Sequence, residues 1–365
     1  WTNGRPNQEE ADVLRGLFAK YCKPLIEYVL EGVLDGEQTD RLKTVIPVPN
    51  ISMITQLCAL LESTLTEDRN IVDPAVLESV FIFCLTWSIG GQLIEESHEA
   101  FDRVVKKLAE LPIIDNPNAS AGPGQIPQGA GLLYEYFFDV DESKWVPWTS
   151  MVADYVPPPD GKFSSIVVPT VDTARTNQLI DIIVREGKPV LLCGNSGTAK
   201  TCTIENYLNN MDPSANAILN MNFSSRTASI DVQRILEANV EKRTKDTFGP
   251  AGGKRMIVFI DDMNMPSVDH GGTQQPIALL KLLVAEGGIY DRGKELNWKK
   301  LKDLGFVAAM GPPGGARNPV DPRFIALFSL FYIKFPDTDS LKLIYNTIGS
   351  SHFAPFDDSV KSLGE

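Results

Sequence analysis

The sequence predicts an α/β fold, a parallel sheet flanked by helices and preceded by a small all-α domain. Three observations carry this. Beyond residue 162, short apolar runs alternate with helical patterns, as in a parallel sheet covered on both faces. The first of those runs leads directly into a glycine-containing loop that opens a helix. Residues 9 to about 112 show instead only the three- and four-residue spacing of helices.

In chain order, Leu14, Leu17, Phe18 and Tyr21 mark one helical stripe, and Ile54, Leu57, Leu61 and Leu65 another. Asp73-Pro74 reads as a helix start, the aspartate as cap and the proline in the first turn. The most apolar stretch lies between Glu78 and Glu95 and holds Phe81, Phe83 and Trp87. It is shorter than the ~20 residues a membrane span needs, and it contains Ser79, Thr86, Ser88 and Gln92. A buried helix is predicted there, and no membrane contact. The region 1–112 carries no catalytic constellation.

Residues 113–161 are rich in proline and glycine, including Ala121-Gly122-Pro123-Gly124 and Pro157-Pro158-Pro159, and read as a linker. Within it, Leu132–Val140 and Trp145–Trp148 predict two short strands around an Asp-Glu-Ser turn.

The α/β region is expected over 162–338. Its predicted strands are Pro189–Cys193, Ala217–Phe223, Arg255–Ile260, Phe306–Met310 and Leu330–Phe335. Helices are predicted at Lys200–Asn210, Ile230–Lys242 and Gln275–Ala285, and Gly287–Trp298 reads as a helix end followed by a hairpin.

The balance of charge and sulfur narrows the function classes. Acids outnumber bases 47 to 34, a formal net charge of −13, which argues against a general nucleic-acid binder. The five cysteines, Cys22, Cys58, Cys84, Cys193 and Cys202, form no CxxC pair, and the histidines His98, His270 and His352 lie far apart. Reduced thiols are expected, with neither a zinc site nor a disulfide scaffold. The chain opens at Trp1 with no charged segment ahead of an apolar run, so no signal peptide is expected and the chain reads as a piece of a longer protein.

The strongest chemical signal is Gly194-Asn195-Ser196-Gly197-Thr198-Ala199-Lys200-Thr201 after the apolar run Val190–Cys193. Strand, loop and helix start together are the context of a phosphate-binding loop, whose backbone N–H groups face phosphate. Lys200 would reach the β- and γ-phosphates, and Thr201 would offer its hydroxyl to Mg²⁺. The residue before the lysine is alanine, compatible with the loop if its φ is negative. The second signal is Arg255–Ile260 followed by Asp261 and Asp262, acids delivered by a buried strand. Asp261 would hold the Mg²⁺, and Asp262 stands where a general base polarises water. Being one methylene shorter than glutamate, Asp262 has the shorter reach.

Five segments then resemble the third AAA+ module of dynein heavy chains. They are Val168–Arg175, Asn222–Thr227, Phe259–Pro266, Gly272–Leu280 and Ala309–Phe324, in order along residues 168–324. The Asp-Asp pair, the Ala-Lys and the Asn-Met-Pro are similar to axonemal dyneins more than to cytoplasmic ones. Region 1–112 resembles the lid of the second module, and 339–365 the start of the third module's own lid. The resemblance implies a P-loop AAA+ ATPase module that binds Mg-ATP or ADP. It implies that Val167, Val168, Pro169 and Thr170 contact adenine. It places Gly311 in the slot where a polar sensor usually stands, and it makes Arg323 the arginine finger toward the preceding module, with Arg317 as second candidate. The implied partners are the neighbouring AAA+ modules, with microtubules and other dynein subunits reached through regions outside this chain, in the axoneme of a cilium or flagellum. Regulation of the motor is the role implied. A structural nucleotide clamp without useful turnover is the alternative that Ala199, Asp262 and Gly311 favour.

Overall fold

The computed structural model describes residues 1–66, 69, 71–114, 121–127, 131–158, 166–293 and 295–353. Pro159, part of the linker, and residues 354–365 of the expected second lid lie outside the described residues.

The N-terminal region is helical, as its periodicity predicts. Helix α1 spans Gln8–Glu31, capped by the Asn7 side chain and ended by Gly32 at φ 70°. A ribbon of β1 (Val33–Leu34) and β2 (Glu37–Gln38) follows, then α2 (Asn50–Thr64), α3 (Pro74–Ser88) and α4 (His98–Ala109). Asp73 caps α3 by accepting the Ala75 N–H at 2.9 Å, with Pro74 in the first turn. The segment Pro74–Gln92 is long and apolar enough to cross a bilayer, yet 83% of it is buried inside the protein. It is therefore a core helix, packed against α1 and α2.

In the segment expected to be a linker, β3 (Ile113–Ile114) pairs with β4 (Ile126–Pro127), and β5 (Tyr136–Asp139) forms a hairpin with β6 (Lys144–Pro147). The first strand of that hairpin is shorter than predicted, because Leu133–Glu135 turns as a 3₁₀ segment that buries Leu133 and Tyr134. Trp145 and Trp148 are buried, and Trp148 packs on Phe83 and Trp87, so aromatics hold this segment against the helical region.

The remainder is the predicted α/β fold. Its elements are α5 (Val171–Arg185), β7 (Val190–Cys193), α6 (Lys200–Asn209), β8 (Asn216–Asn222), α7 (Ser229–Ala238), β9 (Glu241–Lys242), β10 (Thr247–Gly249), β11 (Arg255–Asp261), α8 (Gln275–Glu286), β12 (Gly288–Tyr290), β13 (Trp298–Leu301), β14 (Leu304–Met310), α9 (Pro322–Ile325), β15 (Ser329–Tyr332) and α10 (Thr338–Phe353). Strands β15-β7-β14-β11-β8 form one all-parallel sheet in that order. β7, β11 and β14 are nearly continuous apolar runs because both their faces are covered. The predicted hairpin is present as β12 against β13, in a smaller sheet with β10 and β9.

Other elements also differ from expectation; the strand predicted over Leu330–Phe335 runs Ser329–Tyr332. The helix predicted over Ile230–Lys242 stops at Ala238, where the Asn239 amide turns back on the Ile235 carbonyl at 2.8 Å and the chain pairs as β9. α5 stands where the patterning predicts no element; its buried apolar residues Leu179, Ile180, Ile183 and Val184 come only after the polar run Arg175–Gln178.

Candidate functional site

β7 runs in the interior of the sheet between β14 and β15, and its carboxyl end is a natural ligand crevice. The segment Gly194–Thr201 leaves from that end. Gly194 is required by close approach, since a Cβ there would collide with the Ile333 carbonyl oxygen. Gly197 is required by its φ of 82°. Ala199, at φ 60° and ψ 18°, occupies the left-handed region. The negative φ expected for an alanine there is thus corrected: the loop keeps a glycine-like conformation and the methyl bears the strain.

From Asn195 to Cys202 no backbone N–H donates a hydrogen bond to another described residue; the first to do so is Thr203, to Ala199. The row of free donors at the start of α6 forms an anion nest. Lys200 Nζ lies over it, 2.8 Å from the Gly194 carbonyl oxygen, 2.7 Å from that of Asn195 and 3.2 Å from Thr198 Oγ1. Burial holds its ammonium below the ordinary lysine value, with Arg317 acting the same way and Asp261 and Asp262 opposing. Cys193, beneath it, is pushed up to about 12 by burial and is an unreactive thiol.

β11 brings its acids alongside. Thr201 Oγ1 donates to Asp261 Oδ2 at 2.8 Å, so the hydroxyl and carboxylate expected at Mg²⁺ stand together. Asp261 Oδ1 accepts the Asp262 N–H at 2.9 Å. Asp262 is held at φ 50° with its carboxylate about half exposed, at 52%. Aspartate tolerates that conformation better than glutamate does, which gives the short acid a backbone reason.

The sensor slot holds no side chain, but it is filled. A Cβ on Gly311 would lie 2.5 Å from Arg317 Nε, so the guanidinium occupies that space. Arg317 Nη2 donates to Ser196 Oγ at 3.0 Å and lies 4.0 Å from Asp262 Oδ1. Arg317 therefore points toward the loop Gly194–Thr201 of this same chain. Arg323, in α9, is exposed, and its guanidinium makes no hydrogen bond or ion pair among the described residues.

The four residues expected at adenine are divided. Val168 and Thr170 are buried, and the Thr170 hydroxyl caps α5 by accepting the Thr173 N–H at 3.2 Å. Val167 and Pro169 line a groove of about 780 Å³ between residues 151–158 and helices α5 and α6. None of Gly194–Thr201 lines that groove. The sequence reading also misses Asn264, fully buried, whose Nδ2 donates to the Gly311 carbonyl at 2.8 Å. Its signal is a polar residue three positions after Asp261.

Comparison with known proteins shows the family. Residues 155–336 match the family described as P-loop containing dynein motor region, and residues 14–150 match the dynein heavy chain AAA lid domain. Over 100% of its length the chain is 52% identical to Dynein-1-alpha heavy chain, flagellar inner arm I1 complex, of Chlamydomonas reinhardtii. Over 99% of its length it is 49% identical to Dynein axonemal heavy chain 10 of Homo sapiens. The chain spans 8% of the length of each of these relatives.

Proposed function

The chain belongs to the dynein heavy chain family, and from that premise we propose that it supplies an ATP-binding AAA+ module of an axonemal motor, with the nucleotide seated on Gly194–Thr201. The observation that carries this reading is the row of backbone N–H groups from Asn195 to Cys202 that have no partner among the described residues, set beside Lys200 and the Thr201–Asp261 pair. Such a row calls for a ligand with several acceptor oxygens, and a polyphosphate supplies them.

Each residue then has a task. Lys200 exchanges its bonds to the loop carbonyls for phosphate oxygens. Thr201 and Asp261 hold Mg²⁺, which when bound neutralises charge on the phosphates. Asp262 orients the attacking water and takes its proton. Val167 and Pro169 offer the apolar surface for adenine, with Val168 and Thr170 fixing the segment behind them. Arg323 projects outward to the nucleotide of the preceding module. In this reading 1–112 is the preceding module's lid, 113–161 the linker, 162–338 the large domain and 339–365 the start of its lid. The module acts in a cilium or flagellum as a regulator of microtubule-based movement, through neighbouring modules of the same heavy chain.

A second reading, a nucleotide clamp without turnover, is favoured by the left-handed backbone at both Ala199 and Asp262. One experiment tests both. The intact heavy chain, wild type and Lys200→Ala, is washed with Mg-ATP and its retained nucleotide identified; the difference between the two belongs to this site. Retained ADP means turnover, and retained ATP means a clamp. No difference between the two chains overturns nucleotide binding here.

A further inference from the structure

Arg317 has a position that the proposed function leaves unused. It sits on a tight loop after β14, where Gly314 and Arg317 exchange backbone hydrogen bonds of 3.0 and 3.1 Å. Asn264 clamps that loop from inside. Its side chain donates to Gly311 and its carbonyl accepts the Asn318 N–H at 3.0 Å. The guanidinium is thus pre-positioned, spanning from Ser196 on the phosphate loop to Asp262 on the acidic strand. Its Nε is buried with no hydrogen-bond partner among the described residues. An arginine presents a fork of donors, and one of them is held here, desolvated, without an acceptor.

We propose that Arg317 is an in-cis sensor of the third phosphate, standing in for the side chain that Gly311 lacks. This rests on the nucleotide reading above. With a diphosphate bound, Arg317 stays on Ser196 and beside Asp262. A triphosphate adds oxygens on the metal and acid side of the loop, between Lys200 and Asp262, and offers the acceptor that the guanidinium lacks. The sensor and the loop it reads then belong to one module, so triphosphate is distinguished from diphosphate without a neighbour's arginine.

The test uses the heavy chain, with Lys200→Ala as the blank for this site. Affinities for Mg-AMP-PNP and Mg-ADP are taken from the Lys200-dependent part of the binding curve. Arg317→Ala should weaken AMP-PNP about 10- to 100-fold, the range for a hydrogen bond to a charged group, and leave ADP little changed. Arg317→Lys should restore only part of the loss, having charge without the fork. If both nucleotides weaken equally, Arg317 is a strut for Ser196 and the proposal is overturned; it is equally overturned if neither changes. If wild type shows no Lys200-dependent binding at all, the nucleotide reading itself has failed.

Discussion

Gln56 of α2 pairs both backbone polar groups of Leu330 in β15. Its Nε2 donates to the Leu330 carbonyl at 3.0 Å and its Oε1 accepts the Leu330 N–H at 2.9 Å. A side-chain amide thereby takes the place of a further strand at the sheet edge. The same amide donates to the Trp87 carbonyl at 2.9 Å and accepts from Gln92 at 3.1 Å. Gln56 is only 2% exposed, so these bonds are dry. Gln56→Leu keeps the bulk and strands the Leu330 groups and the Gln92 amide. Each orphaned buried group costs about 1–3 kcal/mol, so for these three groups a loss of at least about 3 kcal/mol is expected in urea unfolding, with helical content retained. A loss under about 1 kcal/mol would show that water replaces the amide.

Ala199 gives a prediction about strain. An alanine in the left-handed region costs roughly 1–2 kcal/mol, while a glycine there costs up to about 1 kcal/mol through the freedom of the unfolded chain. Ala199→Gly is therefore expected to shift global stability by less than about 1 kcal/mol and to keep Lys200-dependent nucleotide retention. Ala199→Val, with a branched Cβ, should lower the melting temperature and lose retention. Equal behaviour of the valine and glycine variants would mean that the loop relaxes to a negative φ.

Why the strands and the loop could be read, and Ala199, Gln56 and Arg317 could not, is a matter of range. β7, β11 and β14 show as apolar runs because both faces of the sheet are covered, a property local to each run. The loop is legible because its chemistry lies in consecutive residues. Gln56 meets a residue 274 positions away, and Arg317 one 121 positions away. No pattern within a window encodes either pairing. The same holds for the direction of Arg317, which depends on the missing Cβ of Gly311. The backbone at Ala199 is set by where β7 and α6 must join, which overrides the preference of the residue. α5 is not legible because a surface helix buries only one stripe, and its buried apolar residues begin only after the polar run Arg175–Gln178.

Asp262 can be tested apart from its backbone. Asparagine accepts a positive φ as readily as aspartate does, so Asp262→Asn should hold its stability within about 0.5 kcal/mol. What it removes is the carboxylate facing Arg317 at 4.0 Å and any base for the attacking water. In the heavy chain the variant should retain ATP at this site where wild type retains ADP. Identical nucleotide in both would show that Asp262 is not the base. Asp262→Glu adds reach but sits less easily at φ 50°, and is expected to lose stability relative to the asparagine variant.

His98 should give the chain an acid-sensitive joint between α4 and β15. Its ring stacks on Tyr134 at 4.0 Å, meets Tyr332 edge-on, and places Nε2 3.0 Å from the Leu93 carbonyl oxygen. That bond requires the proton on Nε2. Burial lowers its pKa from 6.5 to about 4; Arg175 and Lys334 act in the same direction, against the Leu93 carbonyl and Glu95. The folded state thus prefers the neutral ring, and the unfolded chain takes up the proton first as pH falls below 6.5. The stabilisation is complete above that value and is lost on acidification until the folded ring also titrates near 4. The interval is worth roughly 3 kcal/mol, of which about 2 kcal/mol is gone by pH 5. Urea midpoints of wild type and His98→Gln, measured from pH 7 to pH 5, should therefore converge, wild type falling faster because glutamine has no proton to gain. Parallel curves would mean that the ring is solvated enough to titrate normally in the folded chain.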